Sequence, residues 1–112
     1  MTTLLAIYRR PEGGDEALAT FLHRYREEHL PLVAATPGLR RTWVRRTATA
    51  LMGDDIVLVV GMEFDDRAAL DAGLASDAMR AGGRNLREIA PGIVTLLVVE
   101  PDAELEAVAD PG

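Results

Sequence analysis

The chain has 112 residues, of which 48% are hydrophobic and 27% charged, with a formal net charge of −6; this predicts one globular domain with a single modest core. It contains no cysteine, which excludes disulfides, thiolate nucleophiles, iron–sulfur clusters and cysteine-type zinc sites. Every basic residue is arginine, so Schiff-base chemistry on a lysine is excluded as well.

Leu4 to Tyr8 is a short apolar run closed by Arg9-Arg10-Pro11 and the turn Gly13-Gly14, and reads as a first strand. Asp15 to Ala35 reads as a helix with Asp15 as N-cap and Glu16 in its first turn. Its apolar stripe runs Leu18, Phe21, Leu22, Tyr25 and Leu32 at spacings of three and four. Pro31 removes a backbone donor and crowds the carbonyl of Glu27, which predicts a kink or an early stop just after His29. Leu39 to Thr49 alternates arginines with other residues, placing Arg41, Trp43 and Arg45 on one face; so charged a strand belongs at an edge. After a hairpin at Gly53-Asp54-Asp55, Ile56 to Phe64 forms a third strand, apolar on one face and mixed on the other. Asp65-Asp66 caps a helix through Leu70 and Leu74, and a further helical stretch, Asp77 to Ile89, carries the weak point Gly82-Gly83. Ile93 to Val99 is the fourth strand.

Residues 101–112 form an acidic tail, expected to be frayed or partner-dependent. From Glu100 onward the chain holds five acids and no base, leaving 13 acids and 12 arginines in the rest. A body so near neutrality lacks the basic stripe of a nucleic-acid binder. The start, Met1-Thr2-Thr3-Leu4, lacks a basic segment followed by a long apolar one, and no apolar run approaches the roughly 18 residues of a membrane span. A cytoplasmic protein without membrane contact is expected.

The order strand, helix, strand, strand, helix, strand predicts an α+β, ferredoxin-like βαββαβ domain over residues 1–100: a four-stranded antiparallel sheet with its helices on one face. Val57, Val59, Val94, Leu96, Val98 and Trp43 are assigned to the other face. So much exposed apolar surface predicts a homodimer joined through the open sheets.

His29 follows Tyr25 by four residues and precedes Leu32 by three, so it lies on the inward stripe although the outer face could have solvated it. A ring that titrates near neutrality against a core needs a partner or serves a ligand. Tyr25 lies one turn away and could donate a hydrogen bond, though it equally fits an ordinary core aromatic. No metal site is expected, because His23 and His29 point in different directions and no other ligands accompany them; His23 reads as a surface partner of Glu27. A single axial histidine would suffice for haem, but no cofactor is expected.

Tyr8-Arg9-Arg10-Pro11-Glu12-Gly13, Phe21, His23-Arg24-Tyr25-Arg26 and His29-Leu30-Pro31-Leu32 together resemble the EthD family of dimeric α/β barrels. Pro37-Gly38-Leu39-Arg40, Phe64-Asp65 and Val94-Thr95-Leu96-Leu97-Val98-Val99-Glu100 extend the resemblance in the same order, through Glu100. It implies a ferredoxin-like homodimer with a cavity between sheet and helices. The wider superfamily includes cofactor-independent monooxygenases, polyketide cyclases, muconolactone isomerases and haem-dependent enzymes. The family's histidine corresponds to His29, which the resemblance makes a general acid or base on a phenolic or enolic substrate. Where many relatives carry a carboxylate in the third strand, this chain has Gly61, with Glu63 on the same face. The pocket is expected to be bounded by Trp43, Val59 or Gly61. Tyr8 ends its strand nearby, Trp43 offers a stacking surface, and Arg41 or Arg45 a grip on an anionic substituent; the same residues also fit packing, dimer contact and a solvated edge. Two functions follow. One is a small cofactor-free oxidoreductase, isomerase or cyclase acting on a hydrophobic aromatic or polyketide-like molecule. The other is a non-catalytic protein that binds such a ligand.

Overall fold

The computed structural model describes residues 1–112 and places four strands in one antiparallel sheet: β1 (Thr2–Arg9), β2 (Leu39–Arg46), β3 (Ile56–Phe64) and β4 (Val94–Val99), in the order β2-β3-β1-β4. The helices α1 (Gly14–Arg24), α2 (Leu30–Ala34), α3 (Arg67–Leu74) and α4 (Asp77–Ile89) form the second layer. This is the ferredoxin-like fold that the element order predicts, with the arginine-rich β2 at an edge.

Strand alternation sets the core. On β1, Leu4, Ala6 and Tyr8 turn toward the helices, and on β3 Leu58, Val60, Met62 and Phe64 do so. They meet Phe21, Tyr25, Val33, Leu70 and Ile89 from the helical layer. Asp66 and Ser76 cap α3 and α4 by accepting from Ala69 and Met79 backbone N–H groups.

Register corrects the assignment of β4. Val94, Leu96 and Val98 stand opposite Tyr8, Ala6 and Leu4, so they share the helix-side face; Thr95, Leu97 and Val99 face the open side with Leu5, Ile7 and Val59. One residue of offset in an apolar run carries no signal of its own, because both parities of this strand are apolar.

The first helix also departs from expectation. Gly13, in a left-handed conformation with φ 109°, stands at the N-cap where Asp15 was expected. Pro31 does not stop the helix. Residues Tyr25–His29 instead widen into a π turn in which the Leu30 N–H reaches the Tyr25 carbonyl, and α2 continues to Ala34. Widening the turn before Pro31 relieves the clash of its ring with the preceding carbonyls. It also retunes the stripe. Phe21, Tyr25, His29 and Val33 are buried at uniform spacings of four, and Val33 takes the place predicted for Leu32.

The tail forms a helix, α5 (Ala103–Ala109), capped by Asp102 but burying no residue. Deleting residues 101–112 is therefore expected to leave the thermal midpoint of the domain within a degree or two. A large drop in a melting experiment would mean that the tail docks on the domain or on a second copy of the chain. No helix is long and apolar enough to cross a membrane.

Candidate functional site

The π turn presents Tyr25 and His29 in succession to the interior, their rings tilted against each other with centroids 4.9 Å apart. Tyr8, from β1, meets Tyr25 edge to face at 5.1 Å and donates a hydrogen bond to its hydroxyl at 3.1 Å. Phe21 completes the cluster at 5.5 Å from Tyr8. π turns concentrate at functional sites because they re-aim side chains that a regular helix would spread around its axis.

Beyond His29 lies a cavity of about 150 Å³ between sheet and helices. Its floor is Leu4, Ala6, Tyr8 and Met62; its roof is Met79, Gly82 and Leu86 of α4. Leu96 of β4, 50% exposed, stands at its rim. Gly82 lies against the ring: a Cβ there would sit 3.5 Å from His29 Cε1, an ordinary contact distance. A larger groove of about 460 Å³ beside α1, lined by Glu16, Thr20, Phe21, Arg24 and Glu88, is more open and does not reach His29.

His29 is 4% exposed. Its Nδ1 lies 3.2 Å from Asn85 Oδ1, and Asn85 Nδ2 donates to Glu28 Oε1 at 3.0 Å. Arg24 in turn holds Glu28 through both carboxylate oxygens, at 2.7 and 3.0 Å, and reaches Glu88 at 2.7 Å. Burial pushes the His29 pKa below its ordinary 6.5, only partly offset by the Asn85 contact, so the ring is neutral at pH 7. Arg24, with burial opposing it, holds the Glu28 carboxyl below its usual range. Burial raises the Tyr8 hydroxyl to about 12 and the Tyr25 hydroxyl further still, which leaves both protonated and makes the neutral His29 ring the proton acceptor of this cluster.

Of the residues singled out in the sequence, His29, Tyr25 and Tyr8 are brought together. Trp43, Val59, Gly61 and Arg41 are not. They occupy the open face of the sheet, on the far side from His29, because Trp43 pairs with Gly61 and Arg45 with Val59 on the parity opposite to Met62 and Val60. The Trp43 indole lies directly over Gly61, where a Cβ would overlap it, and its Nε1 donates to Glu63 Oε2 at 3.1 Å. Glu63 is thus a partner of Trp43 and does not meet His29. Arg45 lies over the indole at 5.3 Å and Arg41 is exposed. Glu27 pairs with Arg26 at 3.4 Å, and His23 has no carboxylate partner.

The residue that sequence reasoning missed is Asn85. Its signal was an uncharged amide among Arg84, Arg87 and Glu88, three positions after Gly82. No group of three or more histidine, aspartate or glutamate side chains is placed to hold a metal ion. The cavity also does not suit haem, since an apolar space of about 150 Å³ takes a single aromatic ring.

Gly82→Ala is expected to stabilise α4 by about 1 kcal/mol, because the helix tolerates the methyl and the contact to His29 is an ordinary one. The same methyl narrows the roof, so a higher melting temperature should accompany severalfold weaker binding of single-ring ligands. Unchanged affinity would place the ligand elsewhere.

The chain is a ferredoxin-like domain with a largely aliphatic cavity, bordered by His29 and Tyr8, beneath its helices. Its structure is similar to that of an EthD family protein from Bacillus halodurans, with 30% identity, a TM-score of 0.81, and 91% of this chain and 99% of that one covered. The chain belongs to the EthD family. It shares its fold with a dimeric ferredoxin-like protein of unknown function from Bacteroides fragilis (15% identity, TM-score 0.67, 89% and 95% covered). It shares it also with SnoaB, a cofactor-independent oxygenase from Streptomyces nogalater (16% identity, TM-score 0.61, 89% and 91% covered). By sequence alone the chain matches no family profile and no curated protein.

Proposed function

We propose that this chain is a small homodimeric enzyme that acts, without a bound cofactor, on a small apolar aromatic or enolic molecule, with His29 as the acid–base group. The observation that carries this reading is a neutral histidine bordering an otherwise largely apolar cavity of single-ring size. General acid–base catalysis asks for a group whose protonation can change near the working pH. The surrounding hydrophobic wall excludes water and holds a flat ring, while Tyr25 and Tyr8 buttress the imidazole. The volume favours a phenol-sized molecule over a polycyclic polyketide. Among the oxidoreductase, isomerase and cyclase roles, that of an oxidoreductase or monooxygenase accords with SnoaB and with an antibiotic biosynthesis monooxygenase of the same fold.

The homodimer accords with dimeric relatives of this fold. The open sheet face, with Leu97 43% and Val99 38% exposed beside Leu5, Ile7 and Val59, supplies the surface.

Titrating the protein calorimetrically with para-cresol and other single-ring phenols, while following oxygen uptake and product formation, tests the reading. Binding with turnover supports the enzyme; binding without turnover favours a ligand-binding protein. No binding of any single-ring compound would remove the cavity from the account.

A further inference from the structure

We infer that Asn85 is a positioning residue that locks His29 into one tautomer, and that the lock makes the cavity selective for a neutral ligand that donates a hydrogen bond, such as a phenol or an enol. The selectivity rests on the functional reading above; the lock does not.

Arg24 grips both oxygens of Glu28. A carboxylate held in this way is ionised and only accepts hydrogen bonds. Asn85 approaches Glu28 Oε1 at 3.0 Å. Only its Nδ2 can face that oxygen, since turning the amide over would set two acceptors against each other. The planar amide then directs Oδ1 the other way, 3.2 Å from His29 Nδ1. An amide oxygen accepts and never donates, so Nδ1 carries the proton. A neutral imidazole has a single N–H, and Nε2 is therefore left with its lone pair.

Nε2 has no hydrogen-bond partner within the chain, and no buried side-chain nitrogen or oxygen is left unpartnered, so Nε2 is not sealed in packing. Its ring borders the cavity, where the other polar lining side chain, Tyr8, already donates to Tyr25. The cavity thus presents an acceptor to its occupant. A hydroxyl pointed at Nε2 completes a hydrogen bond and stands ready to lose its proton to the ring. An ether or a carboxylate brings a lone pair to a lone pair.

Asn85 belongs to α4 and His29 to the π turn, so the lock ties two elements 56 residues apart in sequence. Its charged end lies at the surface and its neutral end at the cavity, which spares the interior an unpaired charge.

Long-range proton–nitrogen correlation spectra of nitrogen-15-labelled protein at pH 8 read the tautomer directly. His29→Phe identifies the signals by removing them. The wild-type ring is expected to show the proton on Nδ1, and Asn85→Ala to shift it toward Nε2. Calorimetry should show para-cresol binding about tenfold more tightly than its methyl ether, with the preference reduced or lost in Asn85→Ala. A wild-type ring protonated on Nε2 overturns the lock, whatever binds. An unchanged tautomer in folded Asn85→Ala overturns it too, and the wild-type spectrum decides the question should that variant not fold. An Nδ1–H ring in a protein that binds neither compound overturns the functional reading and with it the selectivity. Equal affinity for cresol and its ether overturns the selectivity alone.

Discussion

Leu5→Asp is expected to convert the proposed homodimer into monomers. Leu5 lies on the central strand β1, on the face of the sheet that carries no helix, directly between Gly61 of β3 and Leu97 of β4. The arginines of β2 on the same chain are two strands away. In a two-fold dimer the same patch lies on both sides, so two unpaired carboxylates would be desolvated together. The effective penalty is several kcal/mol per ion, against about 1.5–3 kcal/mol for each large side chain that the interface fully buries. The monomer itself loses little, because in it the new carboxylate stays hydrated. Sedimentation equilibrium at micromolar protein should show a dimer mass for the wild type and a protomer mass for the variant. Trp43, the single tryptophan and a member of the same face, should show red-shifted fluorescence in the variant. A wild type that sediments as a monomer, or a variant that stays dimeric, contradicts the open-sheet interface.

His29→Phe should leave a folded protein with impaired function. The phenyl ring keeps the stacking on Tyr25 and most of the volume, whereas an alanine would also open a hole beside the cavity. If His29 moves a proton, turnover should fall by about 10²–10⁴-fold; if it only accepts a hydrogen bond, affinity should fall by about tenfold. The size of the loss thus separates an enzyme from a binding protein. The pH dependence carries a second signature. The folded ring has a pKa below its unfolded 6.5, so between those two values the unfolded chain binds the proton more readily. The histidine's contribution to stability is therefore complete above pH 6.5, declines as pH falls below it, and levels off once the folded ring is protonated. Removing the imidazole should flatten that part of the stability curve, measured by denaturant unfolding across pH. An unchanged curve would mean that the ring's pKa is not depressed.

The fold was largely legible because its signals are periodic. Alternation in β1 and β3, the turn glycines and the charged strand β2 each point to one arrangement, and the structure keeps them. His29 and Tyr25 were legible for the same reason, as they fall on the inward stripe of their helix; Tyr8 was singled out only for ending its strand nearby. What failed depended on parity or on backbone geometry without a local signature. Trp43, Val59, Gly61 and Arg41 lie near His29 in topology but on the other face, and only pairing register decides the face. The π turn could not be read from Pro31, which signals disruption without saying how the helix accommodates it. Asn85 was hidden because its partner is distant in sequence and its own helix gives it an ordinary, half-exposed position.

The position of a bound ring decides whether His29 serves a ligand. A crystal structure of the protein with para-cresol should show the ring between Ala6 and Met62 below and Gly82 and Leu86 above, its hydroxyl within hydrogen-bond distance of His29 Nε2. Asn85 should still hold Nδ1. Cresol seated on the open sheet face beside Trp43 and Arg41, with the cavity under α4 empty, would contradict the account.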